Sequence, residues 1–538
     1  MIQYLPEPSK ASDKKSSFHT MLQFSVFGLI LPCFLFLFLL IKIFNAHATK
    51  SSNNQPKLPP GPKKLPFIGN LHQLIGPGLP HNRLSNLAKI YGPIYHLIVG
   101  ELSLIFLTTP EVVQEVLKAQ EIHFMQRPQF PSVEMMNPKN SSVIFAPYGE
   151  YWRQLRKIFV SELLSIKQVQ SFRSFREDEM GNLVKYVRRS RGHPFNLSEK
   201  IFSCMISIIA KAAFGESCKR KEEFLLTLTE ARKYANGFSL VDIFPSLTIL
   251  SYLSGMKWKL DRVRQKFDEI MEDILVDHKR QRESSISQEG RLVREDVVDV
   301  LLRIQGSAEP GLHLTTDNIK GVLQVRDKDL FTAGSDTVTV TVEWAMSELI
   351  KNPRVMAKAQ AEMREVLKEK GHVQETDLQE FKYLKSVIKE TLRLHPPVPL
   401  IPREARESCK VHGYDVPMKS RVFINAWAIG RDPNYWENPE SFEPERFLES
   451  STDFAGTHYQ FLPFGTGRRV CPGIAFASAN MELLLALLLY HFDWTLPDGQ
   501  ALEGLDMTET LGAAIKRKNE LFVIATPHSR DTVQSDGS

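Results

Sequence analysis

The chain has 538 residues, of which 43% are hydrophobic and 24% are charged, a balance typical of an ordered protein with a large core. Its net charge of +5 is small for this length, and its Lys and Arg residues are scattered, which argues against a nucleic-acid partner. The five cysteines lie far apart without any CxxC spacing, so a disulfide framework and a structural zinc site are both disfavoured.

A membrane anchor is predicted near the start of the chain. Residues 21–41 carry no charge, and a helix of this length, at about 1.5 Å per residue, spans the hydrocarbon core of a bilayer. A cleaved signal peptide is the alternative, but Lys42 follows at once and no small-residue cleavage site is convincing. Lysines crowd the C-terminal side of this segment, which predicts a single-pass protein with its main body in the cytosol.

The sequence predicts five parts along the chain. A polar extension (1–20) precedes the anchor (21–44), and Met1 and Met21 are both candidate starts. A proline-rich linker (45–62) then leads into one large domain (63–527), which a disordered tail (528–538) follows. No repeat or low-complexity segment divides the large domain.

Hydrophobic periodicity predicts a mainly α domain with small β-sheets, an α+β class. The segments with helical periodicity are 149–159, 259–282, 318–349 and 352–369. The strand-like segments are short and are 94–99, 103–107, 422–425 and 521–524. Residues 283–294 are predicted to form a loop. The apolar but interrupted segment 238–260 is either core or a loop that dips into the membrane surface.

Four residues, VRDK at 325–328, interrupt the predicted helix just before the sequence AGSDT. Without them, apolar residues recur at helical spacing from Ile319 onwards. Four residues add about one turn and a further 40° of helix, so they can be a tolerated insertion. A mis-joined exon is the second interpretation, and we favour it because this run of charges has no obvious partners.

The most informative segment is FLPFGTGRRVCPG, residues 461–473. Glycines at 465, 467 and 473 surround Cys471, and tight glycine turns let backbone N–H groups approach a sulfur atom. Those donors, with the two arginines just before the cysteine, are expected to favour a thiolate. A single thiolate is a sufficient protein ligand for haem iron. A buried, inert cysteine is the alternative.

This segment resembles the haem-binding signature F-x-x-G-x-R-x-C-x-G of the cytochrome P450 family, through Phe464, Gly467, Arg469, Cys471 and Gly473. YWRQLRK, AGSDT, KETLRLHPP and FEPERF precede it in the order that the family shows. With PPGPKKLPFIGN, they extend the resemblance from about residue 55 to about residue 527. The chain looks like a plant microsomal member of the type that oxidises terpenoids and phenylpropanoids.

The resemblance implies a set of cofactor contacts. It makes Cys471 the axial thiolate ligand of a haem b iron, in a loop that includes Phe464. It also places four side chains at the haem propionates: Trp152, Arg156, Arg403 and Arg469. Glu390 and Arg393, which share one helix face in an E-x-x-R pair, would form a buried network with Arg446 that braces the haem pocket.

The resemblance also gives AGSDT a role, because this stretch crosses over the haem in the family. Asp336 and Thr337 would be the acid–alcohol pair that delivers protons to dioxygen, and Ala333 with Gly334 would leave room for dioxygen and water. The position after Thr337 usually carries a second hydroxyl, but here it is Val338.

Function follows from the resemblance as an expectation. The enzyme would lie in the endoplasmic reticulum membrane, take electrons from NADPH–cytochrome P450 reductase, and insert one oxygen atom into an apolar molecule. Arg153, Lys157 and Arg468 are the basic residues expected to dock the reductase. The substrate pocket is predicted to include Ala333, Val398, Ile401 and Ala514, with few charges.

An apolar pocket fits a hydrocarbon-like terpenoid better than an organic acid. The resemblance to plant oxygenases that act on sesquiterpene and diterpene olefins, of the premnaspirodiene oxygenase and casbene oxidase type, implies allylic oxidation of such an olefin. Three alternatives stay open. They are a monooxygenase for a phenylpropanoid or another secondary metabolite, an isomerase or dehydratase of the same fold, and a haem-containing membrane binding protein without turnover.

Overall fold

Most of the described chain is helical, as the sequence predicted. The computed structural model describes residues 56–528, except 137–141, 191, 217, 233–239, 248–254, 287–294, 308–313, 324–330, 500–503 and 513. The predicted extension, the anchor, most of the linker, the charged run 325–328 and nearly all of the predicted tail lie outside the described residues. Leu58–Ser538 forms one compact unit, and only that unit is considered below.

The helices of the described residues vary from single turns to more than eight turns. In chain order they are α1 (Leu71–Leu74), α2 (Pro80–Tyr91), α3 (Pro110–Gln114), α4 (Pro131–Met136), α5 (Glu150–Ile158), α6 (Ile166–Ser171), α7 (Arg173–Arg189), α8 (Leu197–Phe214), α9 (Lys221–Arg232), α10 (Leu240–Ile243), α11 (Met256–Ile286), α12 (Val297–Gly306), α13 (Thr316–Leu323), α14 (Phe331–Lys351), α15 (Pro353–Val366), α16 (Lys382–Leu394), α17 (Ala426–Ile429) and α18 (Ile474–His491). Helix α11 continues into the segment that was predicted to be a loop from residue 283.

The strands are short and form small sheets. They are β1 (Ile94–Val99), β2 (Leu102–Leu107), β3 (Phe195–Asn196), β4 (Leu400–Glu404), β5 (Cys409–Val411), β6 (Tyr414–Val416), β7 (Arg421–Asn425), β8 (Phe492–Thr495), β9 (Glu509–Thr510), β10 (Lys516–Arg517) and β11 (Phe522–Pro527). The largest sheet has the order β1-β2-β7-β4, in which only the β2–β7 pair is parallel. Three strands in the order β3-β11-β8 form a second sheet, and β5-β6 and β9-β10 are separate antiparallel pairs.

Two long apolar helices, α14 and α18, pack against each other in the main core. Phe331 fixes the start of α14, because its ring stacks on Phe214 at 5.2 Å and contacts Phe224 at 4.6 Å. Among the described residues, α18 is the helix long and apolar enough to cross a membrane, but 67% of that stretch is buried inside the protein. Helix α18 is therefore a core helix, and its first residue follows closely after Cys471.

The segment that was predicted to be either core or membrane contact has both buried and exposed apolar side chains among its described residues. Val241 and Ile243 in α10 are buried, and the Ile243 carbonyl accepts a hydrogen bond from the Glu101 backbone. Leu240 is exposed, and Trp258 at the start of α11 is 85% exposed. The segment therefore contributes core residues and also presents large apolar side chains to the outside.

Candidate active site around Cys471

Cys471 lies in a tight loop between the 3₁₀ turn Gly467–Arg469 and the N-terminus of α18. Its backbone N–H donates to the Phe464 carbonyl at 3.0 Å, and its Sγ accepts the Gly473 N–H at 3.4 Å. Gly465 and Gly467 have φ of 73° and 69°, a backbone region that residues with a side chain rarely adopt. The glycines therefore turn the chain so that a backbone donor faces the sulfur.

Burial controls the protonation of this sulfur. Burial raises the pKa of the Cys471 thiol, while the Gly473 N–H and the positive charge of Arg156 lower it by less. We predicted that nearby donors and cations would favour the thiolate. For the thiol without a bound metal this prediction is wrong, because the cost of burying a charged sulfur outweighs their effect. A directly bound metal ion reverses the balance, because coordination deprotonates a thiol.

Four arginines from separate parts of the chain crowd together near this loop: Arg127, Arg156, Arg403 and Arg469. Burial, and then repulsion from the other three, lowers the pKa of Arg127 well below its usual range. Burial lowers the pKa of Arg403 to about 10, and burial with repulsion from Arg403 and Arg156 lowers that of Arg469 to about 9. Burial also lowers the pKa of Arg156.

Backbone carbonyls hold Arg469 in place. Arg469 donates to the carbonyls of Met125, Val143 and Ala146 at 2.8–3.3 Å. Its guanidinium also lies over the Trp152 ring, 4.0 Å from the centroid. The Trp152 indole N–H donates to the Val143 carbonyl at 2.9 Å, so this tryptophan supports Arg469 rather than adding a free donor.

Within the described residues, no carboxylate lies within ion-pair distance of Arg127, Arg156, Arg403 or Arg469, and the buried Arg127 Nε has no hydrogen-bond partner. Repelling buried cations are stable only beside negative charge, so this cluster fits a ligand with two carboxylates. Haem b has an iron that accepts one thiolate and two propionates that pair with cations, so Cys471 would hold the iron and the arginine cluster would hold the propionates. Sequence analysis missed Arg127, because no motif marks it and only the fold brings it beside the other three.

AGSDT forms the first turns of α14. Ala333, Gly334 and Thr337 keep accessible surface, whereas Ser335 and Asp336 are buried. The Thr337 hydroxyl donates to the Ala333 carbonyl at 2.5 Å, a bond from a side chain to the preceding helical turn.

Gly334 and Val338, which lie on either side of Asp336 and Thr337, face packed parts of the protein. A Cβ at Gly334 would lie 3.1 Å from Ile209 Cδ1, so this glycine allows α14 and α8 to pack closely. Val338 is buried in the main core. A second hydroxyl at that position would therefore face apolar packing.

Glu390, Arg393 and Arg446 form one buried network. Arg393 donates two hydrogen bonds to the Glu390 carboxylate, both at 2.7 Å, and Arg446 Nε donates to the same carboxylate at 3.0 Å. Arg393 also donates to the carbonyls of Gly430 and Pro439, which lie in the segment leading towards the Cys471 loop. The network therefore ties α16 to that segment.

The predicted pocket residues have different surroundings. Ala333 is half-buried and Val398 is exposed, so both present surface. Ile401 instead packs into the apolar cluster around β4 and β7, and Ala514 packs against Val340 and Trp344 on α14. Ile401 and Ala514 are therefore packed in apolar clusters, and their place in a substrate pocket stays a prediction.

A cavity of about 290 Å³ lies on another part of the described surface, lined by His395, Trp427 and Glu509 among others, and neither Cys471 nor Thr337 borders it. Glu509 Oε2 lies 3.0 Å from His81 Nε2, and its Oε1 lies 3.8 Å from His395 Nδ1. His395 Nε2 in turn lies 2.8 Å from Glu348 Oε1 on α14. These contacts link α2, β9, the C-terminal end of α16 and α14. We call the four residues His81, Glu509, His395 and Glu348 the clamp.

The clamp predicts a specific loss of stability in acid. Burial would raise the pKa of Glu509, but its contacts with His395 and His81 outweigh burial and lower the pKa to about 2. Because this value lies below the ordinary 4.5, the carboxylate contributes about 3 kcal/mol at neutral pH, which is lost as pH falls from about 4.5 towards 2.

Urea unfolding of detergent-solubilised wild type and Glu509→Gln should show this difference at pH 7 and a smaller one below pH ~4.5. Glu407→Gln is the control, because its carboxylate also pairs with a histidine, His123, at 2.8 Å but is 61% exposed. A difference between wild type and Glu509→Gln that does not change with pH would contradict the role of the clamp.

Comparisons with known proteins agree with this geometry. The family described as Cytochrome P450 matches residues 59–522. Melianol synthase of Citrus sinensis is 50% identical over 507 residues, covering 94% of this chain and 97% of that enzyme. Tabersonine 6,7-epoxidase isoform 1 of Catharanthus roseus is 47% identical over 506 residues, covering 94% and 98%. A solved zebra fish cytochrome P450 with progesterone has a TM-score of 0.70 at 24% identity, covering 84% of this chain and 99% of that one, and shows the fold.

A glycine-turned cysteine loop and a buried arginine cluster, in a mainly helical fold with small sheets, define a haem-thiolate protein. The chain belongs to the cytochrome P450 family and is similar over nearly its whole length to plant enzymes of that family. It is therefore a monooxygenase that uses a haem iron with a cysteine thiolate ligand. Members of the family in general receive their electrons from NADPH–cytochrome P450 reductase.

Proposed function

We propose that this enzyme oxidises an apolar terpenoid, with allylic hydroxylation of a sesquiterpene or diterpene olefin as the specific reaction. The observation that carries the monooxygenase chemistry is the Cys471 loop beside four buried arginines that lack carboxylate partners among the described residues. The similarity to melianol synthase supports a terpenoid, whereas the similarity to tabersonine 6,7-epoxidase supports an alkaloid. The apolar character of the predicted pocket favours the first.

In this proposal, Cys471 would hold the iron, and Arg127, Arg156, Arg403 and Arg469 would hold the propionates. The bound haem would supply the activation of dioxygen, with electrons that come from NADPH through the reductase. The task left to α14 is the movement of protons. The Thr337 hydroxyl donates to the Ala333 carbonyl, so it has to release that carbonyl in order to donate elsewhere. A side chain-to-backbone bond of this kind is weaker than the helical N–H bonds and opens without unwinding the helix.

Thr337→Val tests the proton path. We expect NADPH consumption to continue while the yield of oxidised product falls about 10- to 100-fold, because valine keeps the shape but cannot pass a proton. The measurement is product formed per NADPH consumed in microsomes that contain the reductase. Thr341→Val is the matched control, since its hydroxyl makes the same kind of bond to the Thr337 carbonyl at 2.8 Å, one turn further along. Equal losses in both variants would contradict a specific role for Thr337.

Basic residues on one surface suit the docking of an acidic reductase face. Arg153 and Lys157 on α5 are exposed and, within the described residues, have no carboxylate at ion-pair distance. Arg468 is also exposed but pairs with Glu121 at 3.4 Å, so its charge is partly neutralised. We therefore assign the main docking contribution to Arg153 and Lys157, through electrostatic attraction that salt weakens.

We also propose that the enzyme is anchored in the endoplasmic reticulum membrane. The predicted anchor at 21–44 supports this location, which is typical of related plant enzymes. The exposed Leu240 and Trp258 add apolar surface that suits a second contact with the bilayer. Fractionation of cells that express the full chain tests the anchor, and solubility after high-salt washing would contradict it.

The substrate test uses microsomes with the reductase, NADPH and a panel of sesquiterpene olefins, diterpene olefins, tabersonine and phenylpropanoids. Hydroxylation of a terpene olefin is the expected result. Turnover of phenylpropanoids or tabersonine alone would overturn the substrate class. Turnover without NADPH would indicate an isomerase or dehydratase, and ligand-induced spectral shifts without any product would indicate a binding protein.

A further inference from the structure

We propose that Glu121 is a positioning residue for the thiolate loop: its carboxylate holds the turn Gly467–Arg469, which immediately precedes Cys471. The inference rests on the proposed role of Cys471 as the iron ligand. No motif in the sequence marks Glu121, which lies about 350 positions before the loop that it contacts.

Both oxygens of the Glu121 carboxylate contact the turn. Oε1 accepts a hydrogen bond from the backbone N–H of Arg468, and Oε2 lies 3.4 Å from Nε of the same arginine. Arg468 also donates through Nη1 to the Tyr148 hydroxyl at 3.3 Å. The Glu121 side chain is 23% exposed, so these charge-assisted bonds are partly shielded from water.

The contact with Glu121 gives a second reason, besides the positive φ, why residue 467 is a glycine. A Cβ built on Gly467 would collide with Glu121 Oε1. The glycine therefore serves two purposes, because it permits the left-handed backbone and it lets the carboxylate reach the next N–H. The second purpose exists only because Glu121 is there.

Glu121 is itself held by the body of the protein. It begins the 3₁₀ turn Glu121–Phe124, whose Phe124 side chain is fully buried. Backbone and side-chain bonds join this segment to the chain that follows β4: Gln120 donates to the Lys410 carbonyl and the Arg406 N–H to the His123 carbonyl, both at 2.8 Å. The carboxylate is thus a fixed reference point for the loop.

The path from Glu121 to the sulfur is short. The Val470 N–H donates to the Gly467 carbonyl at 3.0 Å, and the Cys471 N–H follows with its bond to Phe464. Without the carboxylate, the turn loses the bond that fixes its first residues and the sulfur moves more freely. Thiolate ligation should then be lost more easily, although the arginine cluster still holds the cofactor.

The test measures how fast the reduced carbon monoxide complex of the full-length enzyme loses its thiolate-specific Soret band. We expect the rate to rise about tenfold in Glu121→Ala, because a charge-assisted bond is removed. Glu121→Gln should stay within about twofold of wild type, since its amide oxygen still accepts the Arg468 N–H. Arg468→Ala should also stay within about twofold of wild type, because the backbone bond survives without the guanidinium.

Glu115→Ala is the matched control, since that carboxylate lies six residues earlier and also accepts a backbone N–H, from His412 at 2.9 Å, but touches no part of the Cys471 loop. Unchanged rates in Glu121→Ala, or an equal rise in Glu115→Ala, would overturn the inference. A wild-type enzyme that never shows the thiolate band would instead overturn the role of Cys471, so the two failures are distinguishable.

Discussion

Cys471→Ala abolishes the thiolate-specific Soret band of the reduced carbon monoxide complex, and with it all NADPH-dependent oxidation of substrate; this is the largest effect that we expect. The sulfur is the atom to which the loop directs the Gly473 N–H, and its charge interacts with that of Arg156 in the arginine cluster. Without the thiolate, the electron push that favours cleavage of dioxygen is lost.

Cys409→Ala is the matched control for this variant. Cys409 is a half-buried cysteine on β5, distant in sequence from the Cys471 loop, so its removal tests the loss of a thiol without the loss of the ligand. We expect wild-type spectra and turnover from it. A Cys471→Ala enzyme that keeps the thiolate band would contradict the assignment of the ligand, whatever its activity.

Glu390→Gln should lower the free energy of unfolding by about 3–5 kcal/mol, because it leaves the buried Arg393 guanidinium without its anion and removes one of the two carboxylates that Arg446 contacts. Glu390 and Arg393 are 0% and 1% exposed, so water cannot replace the lost charge. Urea unfolding of the solubilised enzyme measures the change, and we also expect less haem-loaded protein on expression, since the network holds the segment that leads to the Cys471 loop.

Glu443→Gln provides the comparison for Glu390. Its carboxylate also contacts Arg446, at 3.3 Å, but is 40% exposed, so water screens the pair and we expect a change below about 1 kcal/mol. Similar small changes in both variants would show that the Glu390 network is not a main source of stability.

Local patterns were sufficient for much of the fold. The helical periodicity of residues 149–159 and 352–369 predicted α5 and α15 to within a few residues, and the strand at 94–99 matches β1. These segments have one buried face, so the spacing of their apolar residues records their structure. The predicted loop after residue 283 was less accurate, because α11 continues to Ile286 and helix ends depend on contacts beyond local sequence.

The sequence by itself determined the family, the cysteine loop and the identities of Glu390, Arg393 and Arg446, because these depend on residue types at fixed short spacings. Only the tertiary structure decided which charges meet. It places Arg156 from α5, rather than the adjacent Arg468 and Arg469, where its charge acts on the Cys471 sulfur. It adds Arg127 to the arginine cluster and sets Glu121 against the Cys471 loop. Such pairings join segments hundreds of residues apart, and electrostatic energy depends on distance and burial in space rather than on position in the chain.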